Sequence, residues 1–327
     1  MKKILFWFLI LIKAHHFFRF INRKKIAIIM YHGVLTNEMP LSCWWQLPYG
    51  EFKWQIEYLK KYYTVMPLRV VLQKVRQGES LPDNTAVITF DDGLKNNYTA
   101  AYPLLKELNL PATIFVATGF IGTDRLLWPD ELFMLFLETK TDKIDLSAFG
   151  LRSFSLATTA GKKEAHEAVN EHLKTLKLKE KNESFSQIKK ILSHGANSTG
   201  YSDNFKLLSW EDVDVMNKSG LIDFGAHTCT HEILSNLDDK SLNDEIRNSC
   251  ARISQYGPNL LFAYPNGRQQ DFDQRAKVIL KQLDVLCSLT TIRGLNLLSE
   301  DPYELKRLGV GHNIPREHFK LLCSGVL

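Results

Sequence analysis

Asp91 and Asp92 stand side by side after the apolar and β-branched run Ala86-Val87-Ile88-Thr89-Phe90, and Gly93 closes the pair. Two neighbouring anions at a strand end repel each other unless a cation is present or one carboxyl keeps its proton. Far downstream, residues 221–226 read as a second strand that runs into His227-Thr228-Cys229-Thr230-His231, two imidazoles four positions apart. Two His and one carboxylate form a metal site whose open positions suit a bound water, the arrangement of catalytic rather than structural zinc. Each stretch alone also has an ordinary reading. Asp and Gly cap helices and make turns, and a His pair at this spacing sits in a loop or on one helical face. Their joint presence is what points to metal chemistry. Thr228 can hydrogen-bond the loop backbone and hold both rings toward one point, while Cys229 points apart from them and reads as a bystander.

A third strand, residues 260–264, ends in Pro265-Asn266-Gly267, a turn of the kind that exposes a backbone N–H. Taken together, Thr-Phe-Asp-Asp-Gly at 89–93, His-Thr-Cys-Thr-His at 227–231 and Phe-Ala-Tyr-Pro-Asn-Gly at 262–267 resemble the polysaccharide deacetylase family, also called the NodB-homology domain or carbohydrate esterase family 4. The resemblance spans roughly residues 26–312. It implies an α/β fold, a distorted TIM-like (β/α) barrel, carrying here a helical insertion. It implies Asp91 as general base and Asp92, His227 and His231 as ligands of one divalent ion, zinc first, with cobalt, nickel or iron as alternatives. It also places the Asn266 N–H in an oxyanion hole. The implied reaction is removal of N-acetyl groups from amino sugars of a polysaccharide or lipid-linked glycan. The alternatives are an O-acetyl esterase or other amide hydrolase at the same site, and a degenerate carbohydrate-binding protein.

The chain departs from that pattern twice. Many family members carry Arg two residues before the Pro, where Ala263 stands, so an Arg that orients Asp91 must come from elsewhere. Arg307 is the candidate, because Arg307-Leu308-Gly309-Val310 is similar to the last-strand pattern of a deacetylase subgroup. The Leu-x-His-like motif that supplies a general acid has no clean copy; His312 comes closest by position, and His32 in Tyr31-His32-Gly33 is either structural or at the site's rim. Substrate contact is assigned to Trp128, Tyr264 and Pro265, with an ordinary core Trp an equal reading of Trp128.

The elements that must position these residues follow a strand, helix, strand rhythm: a buried strand at 26–30, helical spacing through Phe52, Ile56 and Leu59 and again near 70–75, the acidic strand, a helix at 98–108 and a strand at 112–117. That rhythm predicts a parallel sheet with crossover helices and functional side chains at the strands' C-terminal ends. Pro129 opens a helix through Leu137. From about 139 to 204 the composition shifts to Lys, Glu and Ser around one apolar stripe, an insertion whose charges read as a solvated face, with substrate or partner contact as the other reading. Helices follow at 210–220, 238–254 and 272–283, strands at 285–289 and 305–310, and a closing helix at 315–322.

The formal charge of +5 is local: seven Lys and Arg fall within residues 1–25, and the other 34 face 36 Asp and Glu. A nucleic-acid partner therefore has no support. Five cysteines, odd in number and without paired spacing, read as free thiols rather than a disulfide framework. The nine apolar residues 4–12 cannot span a bilayer, which needs about 20, and no small-residue cleavage site follows them. The expectation is two parts: a membrane-associating segment 1–25 and a barrel 26–327. The segment lies on a membrane surface, at the cytoplasmic face, with Arg19, Arg23, Lys24 and Lys25 toward anionic lipid. A core helix, a disordered N-terminus and export by an uncleaved signal-anchor are the alternatives.

Overall fold

The computed structural model of the chain describes residues 9–193, 200–312 and 314–326. Among the described residues the strands run, in chain order, β1 (Ala27–Tyr31), β2 (Gly33–Leu35), β3 (Gln46–Pro48), β4 (Thr64–Val65), β5 (Thr85–Phe90), β6 (Ala112–Val116), β7 (Lys143–Ile144), β8 (Phe154–Ser155), β9 (Ile222–Ala226), β10 (Leu261–Ala263), β11 (Cys287–Arg293) and β12 (Leu305–Gly309). Seven of them, β1, β5, β6, β9, β10, β11 and β12, pair in parallel in that order, and β12 returns to β1 through Ile29↔Leu308 and Met30↔Gly309. The result is a closed barrel. β4 extends it beside the start of β5, while β2 with β3 and β7 with β8 form small separate ladders. The barrel is least regular at β10, which shares one registered pair with β9, and at β11, whose register against β12 shifts between Leu289 and Arg293.

The helices are α1 (Ala14–Ile21), α2 (Tyr49–Tyr62), α3 (Leu68–Arg76), α4 (Tyr102–Leu108), α5 (Trp128–Glu138), α6 (Thr159–Thr175), α7 (Leu178–Leu192), α8 (Trp210–Lys218), α9 (Asp239–Ile253), α10 (Gln274–Gln282) and α11 (Arg316–Ser324). The strand expected at 285–289 is displaced to Cys287–Arg293. Asp284 adopts φ 52° and the Val285 N–H returns to the Leu280 carbonyl at 3.1 Å, so Val285 belongs to the closing turn of α10.

Strand alternation separates two cores. Ile28, Val87, Phe115, Leu261, Ala263 and Leu289 come from strands spread around the ring yet form one cluster with Leu68 and Val71 of α3. They can meet only inside the barrel, with α3 plugging one end. The residues of opposite parity, among them Ile29, Ile88, Ile114, Phe224 and Phe262, pack outward against the helices. Gly225 is required by the inner layer, since a Cβ there would lie 2.4 Å from Phe115 Cε1. Counting upward by two from the inner set leads from Val87 to Asp91, from Gly225 to His227 and from Leu305 to Arg307. Parity thus aims these side chains at the barrel axis, at the end opposite α3.

Region 139–204, of which 194–199 lie outside the described residues, is more than a charged appendage. The β7–β8 hairpin, α6 and α7 enclose their own core with α5, built on Leu132, Phe136, Ile144, Phe154, Val169 and Ile188. Of the N-terminal segment, residues 1–8 lie outside the described residues. α1 docks on the barrel: Ala14 and His15 are buried and Asn22 Nδ2 donates to the Ser324 carbonyl at 2.9 Å. The basic residues expected to face lipid are largely engaged internally. The Arg19 guanidinium lies over the Tyr62 ring, and Arg23 and Lys24 both pair with Asp83.

Candidate metal centre and catalytic cleft

Strand ends deliver the polar groups while neighbouring strands still hold their backbones. The Asp91 N–H donates to the Tyr31 carbonyl at 3.0 Å and the His227 N–H to that of Val116 at 3.0 Å. Consecutive strand residues normally point to opposite faces. Asp92 escapes that alternation by adopting φ 74°, a left-handed conformation uncommon outside Gly, Asn and Asp, so both carboxylates reach the same rim.

The loop between the two imidazoles is similarly bent, with φ 63° at Thr228 and 60° at His231. Thr228 Oγ1 accepts from the His231 N–H at 2.9 Å. From outside, Glu245 of α9 accepts from the backbone N–H of Cys229 at 2.7 Å, the N–H of Thr230 at 2.9 Å and the Thr230 hydroxyl at 2.6 Å. Cys229 Sγ lies 3.6 Å from Thr118 Oγ1 and 3.6 Å from the Glu245 carbonyl, apart from the ligand cluster.

Asp92, His227 and His231 are buried and offer ligand atoms that all lie within 4.8 Å of one another. Asp92 Oδ1 is 3.6 Å from His227 Nε2 and 3.2 Å from His231 Nε2, yet among the described residues it has no hydrogen-bond partner. His227 Nδ1 sits 2.7 Å from the Ala263 carbonyl oxygen, so the proton belongs on Nδ1 and the Nε2 lone pair faces Asp92. Burial pushes the His227 ring down to about 4, against the opposing pull of Asp91, which leaves it neutral at neutral pH as a ligand must be. An orphaned buried oxygen facing two imidazole nitrogens is a donor set that fits a divalent ion.

Asp91 has a different environment. Arg307, wholly buried, donates from Nη1 to Oδ1 at 2.7 Å and from Nη2 to Oδ2 at 2.6 Å, while its Nε donates to the Thr290 carbonyl at 2.7 Å. Burial alone would raise the Asp91 carboxyl, but the Arg307 guanidinium, helped by His227, outweighs it and holds the group below the usual carboxylate range. Arg307 occupies the position that Ala263 cannot fill.

These groups open on a cleft of about 730 Å³ that His32 and Asn266 also line. His32 packs edge-on to Trp44, with ring centroids 5.1 Å apart, and burial lowers its pKa against the opposing pull of Asp92 and Asp91. Asn266 takes φ 58° and, among the described residues, its backbone N–H and its Nδ2 lack a partner. His312 is outside the cleft lining; its N–H donates to the Trp44 carbonyl at 2.9 Å.

The substrate contacts expected from sequence need correction. Trp128 is a core residue, buried with Leu132 and Phe136 and covered by the Lys181 ammonium at 4.8 Å, because the first position of α5 turns it away from the cleft. Tyr264 is fully buried, stacked on Phe272 at 4.2 Å, and donates its hydroxyl to the Tyr303 carbonyl. Pro265 is also buried, and of this turn Asn266 alone lines the cleft. The aromatic residues that do line it are Trp44, Trp45 and Phe133. A Trp's sequence neighbourhood cannot tell which side of a helix start faces the site, so no signal singled them out. The insertion also contributes: α6 forms a wall of the cleft and is tied across it by Arg268, which donates to both Glu171 oxygens at 2.8 and 3.1 Å.

The chain belongs to the polysaccharide deacetylase family, whose model matches residues 78–141 and 154–287 and so includes α6 and α7. It is 31% identical over 110 residues to YxkH of Bacillus subtilis (strain 168), covering 33% of this chain and 37% of that protein. It is 34% identical over 76 residues to the poly-beta-1,6-N-acetyl-D-glucosamine N-deacetylase of Staphylococcus aureus (strain MSSA476), covering 23% of this chain and 26% of the relative. The match thus spans well under half of these curated relatives. In fold the chain is similar to the Streptococcus pyogenes deacetylase PplD solved in complex with acetate, with a TM-score of 0.58 at 18% identity over 90% of this chain and 96% of that one. It is similar also to IcaB from Ammonifex degensii, at 0.57 and 16% over 93% and 98%.

Proposed function

We propose that this protein is a metal-dependent hydrolase that removes N-acetyl groups from amino sugars of a polysaccharide or lipid-linked glycan. The observation that carries the reading is the division of labour between adjacent carboxylates: Asp92 faces two imidazole nitrogens, and Asp91 is held apart from them by a bidentate Arg307. Asp92, His227 and His231 would hold the ion, which supplies Lewis acidity toward the acetyl carbonyl and lowers the pKa of a bound water. Asp91 takes the proton of the attacking water, with Arg307 fixing the direction of its oxygens. The free N–H of Asn266 donates to the oxygen that becomes anionic. His32, which lines the cleft where His312 does not and which burial keeps neutral, gives its ring N–H proton to the leaving nitrogen as the C–N bond breaks and is restored by the proton that Asp91 took from the water. The products are acetate and a free amine. The name of the Staphylococcus aureus relative supports N-acetylglucosamine as the sugar.

The test is incubation of metal-loaded protein with short N-acetylglucosamine oligomers. Acetate and free amine should appear in equal amounts, vanish on chelation and return with zinc, cobalt, nickel or iron. Acetate from O-acetylated glycans without amine would establish the esterase instead, and sugar binding without any release would leave a carbohydrate-binding protein.

Glu245 supplies a prediction that does not depend on turnover. Three hydrogen bonds from its carboxylate hold the loop that separates His227 from His231. Groups that orient ligands in this way typically contribute 10- to 100-fold to metal affinity. Glu245→Ala is expected to weaken zinc binding by about that factor in competition with a chromophoric chelator, and an unchanged affinity would show that the loop holds itself.

We further propose that α1 rests on a membrane surface. Phe17, Phe20 and Ile21 are exposed on it, Leu11 and Ile12 are exposed just before it, and Lys13 lies between the two groups. No helix among the described residues is long and apolar enough to cross a membrane. Because α1 packs on α11, deleting it would uncover the barrel, so substitution is the sounder test. Phe17→Ser with Phe20→Ser should abolish most co-sedimentation with vesicles containing anionic lipid; equal sedimentation of the variant would rule the surface out.

A further inference from the structure

The side of the cleft opposite the barrel strands holds polar groups that the hydrolytic reading leaves unused. Asp130 of α5 is 2% exposed; its Oδ1 accepts from Trp45 Nε1 at 2.8 Å, but its Oδ2 has no partner among the described residues. His166 of α6 is 6% exposed and sits among aromatic rings, its centroid 5.5 Å from Phe133, 5.9 Å from Phe136 and 6.2 Å from Trp45, with Nε2 unpartnered. Asn170 lies one helical turn further along α6, and its buried Oδ1 is unpartnered as well. All three residues line the cleft that holds Asp92, His227 and His231.

Buried polar atoms without a hydrogen bond keep their full desolvation penalty, and most such atoms in folded proteins have partners. Three on one wall of one cleft call for a ligand. The ligand must present several hydroxyls at once, because the wall offers an acid, an amide and an imidazole at different heights along two helices. Burial raises the Asp130 carboxyl and lowers the His166 ring to about 4, which suits both to hydrogen bonds with hydroxyls. The exposed Trp44 ring at the same cleft can cover the C–H face of a pyranose. Finally, the wall is fixed in place, because Arg268 joins α6 to the loop following Asn266 through both Glu171 oxygens.

We propose that the α5–α6 wall is a subsite for a pyranose next to the residue that carries the acetamido group, with Asp130, His166 and Asn170 hydrogen-bonding its hydroxyls. This rests on the reading of the cleft as a site for amino-sugar glycans, and it makes the chain a reader of at least two adjoining sugars. The insertion, on this view, sets chain-length preference.

The experiment is calorimetric titration of zinc-loaded Asp91→Asn protein, which binds without turnover, with N-acetylglucosamine and its di- to pentasaccharides. Affinity should rise from monosaccharide to longer oligomers. His166→Phe, which keeps an aromatic ring, and Asn170→Leu should each weaken oligomer binding by about 3- to 10-fold, the size of one or two hydrogen bonds. Zinc content and melting temperature serve as controls. Should His166→Phe fold poorly, Asn170→Leu, at a half-buried position, carries the test by itself. Oligomers bound equally by both variants, or no dependence on length in the parent, would overturn the subsite and assign the wall to ordered water. Binding with the expected losses but no acetate release by the wild-type protein would sink the hydrolase reading while leaving the subsite standing.

Discussion

Asp91→Asn is expected to keep its metal and lose at least about 100-fold in kcat, whereas Asp92→Asn is expected to lose the metal itself. The two residues are neighbours in sequence but not in environment. Asp92 Oδ1 lies 3.6 and 3.2 Å from the two imidazole nitrogens, and Asp91 spends both oxygens on Arg307. Asparagine preserves the shape of Asp91 and one acceptor oxygen for the guanidinium but cannot take a proton from water. General bases of this kind contribute about 10² to 10⁴ in rate. Elemental analysis and steady-state kinetics on the same preparations separate the two defects. Near-normal turnover of Asp91→Asn at saturating zinc would move the base elsewhere, and His32 would be examined first.

Removing the other half of the buried pair should be felt as stability. Arg307 is 0% exposed and Asp91 2%, so Arg307→Met leaves a carboxylate in the barrel axis without its partner. Breaking such a pair from one side typically costs about 3–5 kcal/mol, because the remaining charge keeps its desolvation penalty and loses its compensation. For a chain of this size that is a fall in melting temperature on the order of 10 °C. Combining Arg307→Met with Asp91→Asn removes both charges and should recover at least half of the loss. Urea unfolding of the four proteins makes the double-mutant cycle, and strictly additive losses would show that the pair is not coupled.

Much of the barrel was legible because its strands are short, apolar and bounded by Gly, Pro and Asn. Residues 26–30, 86–90, 112–117 and 221–226 differ from the strands by a residue or so. The last part of the chain was harder. Asp284 in a left-handed conformation carried the end of α10 into the residues expected to be strand, and the apolar stretch Val285-Leu286-Cys287 does not announce such a cap. Region 139–204 showed its apolar stripe, from which helices follow, but a stripe does not say what it packs on. Here α5 completes its core and turns the polar side of α6 toward the cleft.

By itself the sequence determined the chemistry on offer and its direction. Adjacent carboxylates at a strand end, a His pair at another and strand alternation together aim Asp91, His227 and Arg307 along one axis. The resemblance named Arg307 as a partner for Asp91, and tertiary structure decided the geometry in which they meet. Arg307 reaches Asp91 across 216 positions of chain because β12 closes the ring against β1, itself paired with β5. His32 rather than His312, and Trp44 rather than Trp128, line the cleft through the path of the loops after β1 and before α5. Periodicity fixes which way a side chain points from its own element. Which groups stand opposite depends on barrel closure and long-range packing, and no local pattern encodes those distances.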